Sequence, residues 1–100
     1  MITRIVKMSF KEEGVEPFLQ LFKTVEDKIN AFPGCEYLQI YFNIKQSNVI
    51  FTISHWKDTE SLEKYRHSDL FEKTWLQTKK LFNEKPLAWS LDHIENLSFG

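Results

Sequence analysis

Four stretches of the chain alternate apolar and polar residues, and two stretches between them carry apolar residues at helical spacing. Strict alternation is typical of strands, and it covers residues 2–10, 35–44, 49–56 and 87–94. The first helical stretch is 16–32, and Pro-Gly at 33–34 ends it. Its apolar residues share one helical face, which predicts an amphipathic helix: Phe18, Leu21, Phe22, Val25, Ile29 and Phe32.

The second helical region begins after Asp58, whose carboxylate can accept hydrogen bonds from the free N–H groups of a first turn. A short helix is predicted from there to about residue 67. Ser68 or Asp69 can then cap a second segment, which ends before the breaker sequence at 83–86. The large side chains at helical spacing are Leu62 and Tyr65 in the first segment and Phe71, Trp75 and Phe82 in the second.

The element order is therefore β-α-β-β-α-β, with a polar turn at 45–48 joining the second and third strands into a hairpin. Right-handed connections turn this order into the ferredoxin-like split βαβ sandwich, an α+β fold with both helical layers on one face of an antiparallel sheet. A chain of 100 residues is the size of one domain. We predict a single domain over 1–100, with a core at about 2–94 and a C-terminal tail at 95–100.

The second and third strands are rich in Ile, Leu, Phe and Tyr on both faces, as in sheets that are covered on both sides. Two helical segments can cover only one face. We therefore predict a homodimer in which the second face packs against a second copy of the chain.

The charge is nearly balanced, with 13 basic and 14 acidic residues and a formal net charge of -1. This argues against a nucleic-acid surface and against binding to a membrane surface, both of which need a basic excess. The chain also has no signal-peptide pattern and no apolar run of about 20 residues, so we predict a cytoplasmic protein. Cys35 is the only cysteine and the three histidines are scattered, so no metal site is predicted.

Six residues are candidates for chemistry or binding. His55 could act as a general base, or it could be a partly buried His bonded to the backbone or a His at the dimer seam. Tyr65 could donate a hydrogen bond to a ligand or pin its helix to the sheet, and Arg66 could hold an anion or form a surface ion pair. The candidates for contacts to a flat ligand are Tyr41, Phe71 and Trp75. Two further tryptophans, Trp56 and Trp89, are interpreted as core anchors.

The element order and several motifs resemble the antibiotic biosynthesis monooxygenase superfamily over about residues 2–92. The motifs are Phe-Pro-Gly-Cys at 32–35, Trp56 followed by an acidic cap and Leu62, the set Tyr65, Ser68, Phe71 and Trp75, and Lys-Pro-x-Ala-Trp-Ser at 85–90. The resemblance implies a dimeric α+β barrel. Members include small oxygenases that oxidise phenols or quinols without metal or flavin, and enzymes that degrade haem.

The haem-degrading branch resembles this chain around Ser68 and Phe71. Aligned there, its Trp falls on Tyr65, its axial His falls on Trp75, and its first-strand Asn falls near Lys7. None of these three positions matches, so we predict that the protein does not degrade haem.

Three hypotheses follow. The first is a monooxygenase without a cofactor, in which Tyr41, Tyr65, Trp75 and His55 surround one cavity, a base removes a phenolic proton, and O₂ reacts with the anion. The second is a dimer, with a binding or stress-related role, that holds a small ligand without catalysis. The third is an interaction module without a pocket. The residues leave all three open.

Overall fold

The computed structural model describes residues 1–94, which form one sheet covered on one face by helices. A short 3-10 helix at Glu12–Gly14 precedes the first α-helix. In chain order the main elements are β1 (Ile2–Ser9), α1 (Val15–Asn30), β2 (Cys35–Asn43), β3 (Gln46–Trp56), α2 (Thr59–Arg66), α3 (Asp69–Lys79) and β4 (Leu87–Asp92). The predicted tail at 95–100 lies outside the described residues.

The four strands form one antiparallel sheet in the order β2-β3-β1-β4. The strands β1 and β3 occupy the centre, as the crossovers of a split βαβ unit require. The predicted ferredoxin-like α+β fold is therefore confirmed. Among residues 1–94, no helix is both long enough and apolar enough to cross a membrane.

The core lies between the sheet and the helices. The predicted stripe of α1 supplies Phe18, Phe22, Val25 and Ile29, which are all buried, and the sheet supplies Met8, Phe10, Leu38 and Ile50. The Phe10 ring stacks on Phe18 with a centroid distance of 4.5 Å. The helix is held mainly by burial of this apolar face, since most helical stability in proteins comes from tertiary packing of an amphipathic face.

Several boundaries differ from the prediction by one to three residues, and two of these shifts have a local physical reason. The hairpin between β2 and β3 turns at residues 44–45, so β3 begins three residues earlier than predicted. The Asn43 side-chain oxygen accepts from the Lys45 N–H at 2.8 Å and closes the turn locally, which leaves the following polar residues free to pair. The first helix ends at Asn30 rather than at Phe32, because the residue before Pro33 is disfavoured in helical conformation.

The outer face of the sheet, which is the face away from the helices, follows from strand register. Ile5 pairs with Ile53 on one side and with Trp89 on the other. Trp89 is 44% exposed, so its interpretation as a core anchor is wrong. Its neighbour Ala88 pairs with Val6 on the helix side, and alternation then sends the Trp89 side chain to the outer face.

Candidate functional site

A cavity of about 340 Å³ lies between the sheet and the helices α1, α2 and α3. Rings make up much of its wall: Phe18, Phe22, Trp56, Tyr65, Phe71 and Trp75. Polar groups are fewer, and those that line it are Arg4, Thr52, Ser54, Arg66, Thr74 and Thr78. A concave, mainly apolar space with a few polar groups is the usual form of a small-molecule site. The interpretation as a module without a pocket is therefore not favoured.

Three rings of this wall, Tyr65, Phe71 and Trp75, come from the end of α2 and from α3. The Tyr65 ring meets Phe71 edge-on, with centroids 5.3 Å apart, and Phe71 stacks on Trp75 at 5.7 Å with ring planes 11° from parallel. Phe71 and Trp75 are four residues apart in one helix, so their side chains lie on the same side. The wall therefore follows from helical spacing and from the turn between the two helices.

Ser68 sets that turn. Its hydroxyl donates to the Tyr65 carbonyl oxygen at 2.6 Å and accepts from the Phe71 N–H at 3.1 Å. The same side chain thus closes α2 and caps α3, as one of the two predicted caps. The Asp58 carboxylate caps α2 in the same way, accepting from the Ser61 N–H at 2.8 Å. Both caps were predicted from the sequence, and the structure confirms them.

The Tyr65 phenol is protonated at neutral pH. Burial, with a smaller contribution from nearby Cys35, raises the pKa of its phenol well above the ordinary range. A buried phenol keeps its proton because the low dielectric disfavours the anion. At neutral pH the hydroxyl of Tyr65, a residue that lines the cavity, is therefore a hydrogen-bond donor and not a base.

Two arginines line the cavity, and only Arg66 was predicted from the sequence as a candidate. Arg66 pairs with Glu63, with Nη1 and Oε1 3.0 Å apart. Arg4 is the one that was missed, and its Nη1 donates to the Ser90 hydroxyl at 2.8 Å. A signal was present, because alternation places Arg4 on the same face of β1 as Val6 and Met8. A cation on an apolar strand face is unusual unless it has a partner or a ligand.

The structure brings together four of the six predicted site residues: Tyr65, Arg66, Phe71 and Trp75 all line the cavity. His55 and Tyr41 do not line it, and the prediction that they surround the same cavity is wrong. His55 precedes Trp56 in β3, so when the Trp56 side chain points to the helices, the His55 side chain points to the outer face. The sheet itself separates the two groups.

His55 and Tyr41 belong to a polar cluster on the outer face. The His55 ring stacks on Tyr37 with centroids 4.5 Å apart, and the Tyr37 and Tyr41 hydroxyl oxygens lie 2.9 Å apart.

Among residues 1–94, no three His, Cys, Asp or Glu side chains come together as a metal-binding group would require.

Fold and cavity together define a small ferredoxin-like domain with an aromatic pocket beneath its helices. The sequence matches the profile of the antibiotic biosynthesis monooxygenase family over residues 1–75. The chain belongs to this family. No curated protein matches the sequence.

Solved structures show the same architecture. A crystal structure of an antibiotic biosynthesis monooxygenase is 17% identical with a TM-score of 0.88, and the match covers 94% of this chain and 99% of that one. A conserved protein from Methanosarcina mazei Go1 is 22% identical with a TM-score of 0.85, over 91% of both chains. Rv0793 from Mycobacterium tuberculosis is 13% identical with a TM-score of 0.86, over 97% of this chain and 98% of its own. At these identities the likeness concerns the fold alone.

Proposed function

We propose that the protein is a monooxygenase that oxidises a small phenol or quinol with O₂ and without a metal or flavin. The observation that carries this proposal is the aromatic cavity beneath α2 and α3, in which Tyr65 and Arg66 can reach a ligand oxygen. Family membership supports the monooxygenase class, and the choice of substrate comes from the cavity.

The cavity suits a flat aromatic molecule of one or two rings. A space of roughly 150 Å³ already holds benzene in an apolar protein interior, and this cavity has about 340 Å³. Phe71 and Trp75 offer nearly parallel ring faces along one side, and a bound ring can stack against such faces in offset geometry.

The proposed chemistry begins with the substrate as its phenolate, which is the electron-rich form. The phenolate gives one electron to O₂, the resulting radical and superoxide combine at a ring carbon, and a proton completes a C–O–OH group. The O–O bond then breaks as that ring carbon loses its hydrogen as a proton, so the carbon becomes a carbonyl and the second oxygen leaves as water. One phenol and one O₂ thus give one quinone and one water, and all four electrons come from the substrate.

Arg66 and Tyr65 have complementary roles in this scheme. The Arg66 guanidinium stabilises the negative charge on the substrate oxygen, and the Tyr65 hydroxyl donates a hydrogen bond to it. Phe71 and Trp75 hold the ring.

We also propose that the protein functions as a homodimer through the outer face of the sheet. Large apolar side chains on β4 are half exposed there, with Leu87 at 50%, Trp89 at 44% and Leu91 at 46%. Tyr41 on β2 is 45% exposed on the same face. An exposed apolar area on a small domain is typical of a protein interface, and a two-fold partner would cover it. In such a dimer His55 lies at the seam between subunits.

The test of the activity is oxygen uptake by the purified protein with a panel of quinols, naphthols and polyphenols. We expect uptake that saturates with substrate, and a product carrying one ¹⁸O atom when the reaction is run under ¹⁸O₂. Arg66→Gln should lower kcat/KM by at least about tenfold, as loss of a charge that stabilises an anion does. The matched control is Lys64→Gln, which removes an exposed cation of the same helix that pairs with Glu60.

One observation favours ligand binding without catalysis as the second candidate. Within the described part of the chain, the cavity lining contains no carboxylate and no imidazole that could take a proton. Saturable binding of the same aromatics, without any oxygen uptake, would exclude the monooxygenase and leave the binding protein.

A further inference from the structure

We propose that Arg4 and Arg66 together form an oxyanion site that binds the aromatic hydroxyl in its ionised form, so that the proton passes to solvent on binding. This inference rests on the proposed function, because it concerns the substrate of the same cavity. It assigns a role to Arg4, and it explains how a phenolate can be present without a base among the described lining residues.

The two guanidinium groups come from different layers of the fold. Arg4 projects from the central strand β1 and Arg66 from the last turn of α2, and both line the cavity. Arg4 donates to Ser90 on the neighbouring strand β4, and Arg66 donates to Glu63 one turn back in its helix. A guanidinium has five N–H donors, so each group retains donors for a ligand oxygen.

The charges around the site leave a positive excess. Burial lowers the pKa of Arg4, nearby Arg66 lowers it further, and Glu63 acts in the opposite direction. Glu63 is a single carboxylate facing two cations. The other polar groups of the lining are hydroxyls and Tyr65, which remains neutral because its pKa is raised. A single negative charge bound between the two arginines would therefore balance the site.

The expected size of the shift in the phenol's pKa indicates which phenols the site can bind as anions. An opposite charge within about 4–6 Å lowers the pKa of an acid by about 1–3 units. A simple phenol has a pKa near that of tyrosine, at about 10, and would stay largely protonated at neutral pH after a shift at the low end of that range. Phenols acidified by a conjugated carbonyl or nitro group would be bound as anions. The site is therefore suited to hydroxylated aromatics that carry such an acceptor.

The probe for the test is 4-nitrophenol, because its neutral and ionised forms absorb at different wavelengths. Its absorbance is titrated with pH in the presence of saturating protein, and the apparent pKa is compared with that of the free compound. We expect the pKa of the bound compound to be lower by at least about one unit. The compound 4-nitroanisole is the matched control ligand, since it has the same ring and no proton to lose, and its affinity should not vary with pH.

Substitutions show which side chain lowers the pKa of the bound 4-nitrophenol. Arg4→Gln should remove at least half of the pKa shift, and Arg4→Lys should keep part of it because the charge remains. Lys73→Gln is the matched control, since it removes an exposed cation from α3 that does not line this cavity, and the shift should stay. If Arg4→Gln does not fold by circular dichroism, Ser90→Ala is the second variant, because it releases Arg4 from its partner and should weaken the shift.

The outcomes separate this inference from the proposed function. If 4-nitrophenol binds but titrates as it does in solution, or if Arg4→Gln keeps the full shift, the oxyanion site is excluded while oxygen uptake remains a separate question. If neither probe binds saturably in equilibrium dialysis, the oxyanion site is excluded as well. If the shift is present and depends on Arg4, the site stands, even where no substrate of the panel consumes O₂.

Discussion

The Tyr65 ring lies on the indole of Trp56, with centroids 4.8 Å apart and ring planes 24° from parallel. Trp56 is the last residue of β3 and is 1% exposed, and its Nε1 donates to the Ser54 hydroxyl at 3.0 Å. The stacked pair therefore joins α2 to the sheet next to the cavity. It also places the Tyr65 hydroxyl in a buried environment, and this has a measurable consequence at alkaline pH.

Tyr65 should make stability fall at alkaline pH. Its pKa in the folded protein is raised above the ordinary 10.0, so the unfolded chain loses this proton first. The contribution of Tyr65 to the free energy of unfolding is fully present below pH 10. It is lost as pH rises further, and the free energy of unfolding then falls by at most about 1.4 kcal/mol per pH unit. Urea unfolding from pH 7 to 11 measures it. Tyr65→Phe keeps the ring stack and should unfold with a smaller decline, whereas identical declines in both proteins would contradict the assignment.

Ser68 should contribute to the order of the aromatic wall as well as to stability. Ser68→Ala removes the acceptor for the Phe71 N–H and the donor to the Tyr65 carbonyl, and caps of this kind contribute about 0.5–2 kcal/mol. We also expect weaker binding of an aromatic probe, because Tyr65 and Phe71 lose their common anchor. The control is Ser47→Ala on an exposed part of β3, which should change the free energy of unfolding by less than about 0.5 kcal/mol. Equal effects of the two substitutions would refute the capping role.

Gly34 should not tolerate a side chain. Its φ of +91° lies in the left-handed region, and a Cβ built there clashes with the Cβ and Oγ of Ser61 on α2. Gly34→Ala should therefore destabilise the protein by more than about 1 kcal/mol, since both backbone strain and a clash oppose it. Pro33→Ala, at the exposed neighbouring position, is the control for thermal unfolding. A melting temperature of Gly34→Ala equal to that of the unaltered protein would show that α2 moves away at little cost.

Trp89 should determine the oligomeric state. We expect size-exclusion chromatography with light scattering to give a mass of twice 12.0 kDa, the mass of one chain, for the unaltered protein. The Trp89→Glu variant should have a lower mass, closer to that of a single chain. A charge inserted into an apolar interface is left without a partner and opposes association. Leu76→Glu is the matched control, because Leu76 is 52% exposed on α3, away from the outer face. A mass of one chain for the unaltered protein would exclude the dimer.

His55 tests whether the two faces of the sheet are separate in function. His55→Ala should leave the binding of an aromatic probe unchanged within about twofold, because the sheet lies between His55 and the cavity, whereas Trp75→Ala should weaken it at least tenfold. The affinities of the two variants for 4-nitrophenol are compared by equilibrium dialysis. A large loss of affinity in His55→Ala with an intact dimer would restore His55 as a cavity residue.

The sequence by itself determined the elements and their order. Alternation and helical spacing located each strand and helix, and the caps at Asp58 and Ser68 marked where the helices begin, because these signals are local and depend on a few neighbouring residues. The ferredoxin-like arrangement then followed from connection rules. The aromatic wall was also accessible, since Tyr65, Phe71 and Trp75 lie within one local segment.

Only the tertiary structure decided which candidates meet. Arg4 and Arg66 are far apart in sequence, and no local pattern says that a central strand and the end of α2 converge on one cavity. The same packing separates His55 from Tyr65, although the two were predicted to share a cavity. Register across four strands fixes which side chains share a face, and the helices cover one face only, so residues that are close in sequence can lie on opposite sides of the sheet.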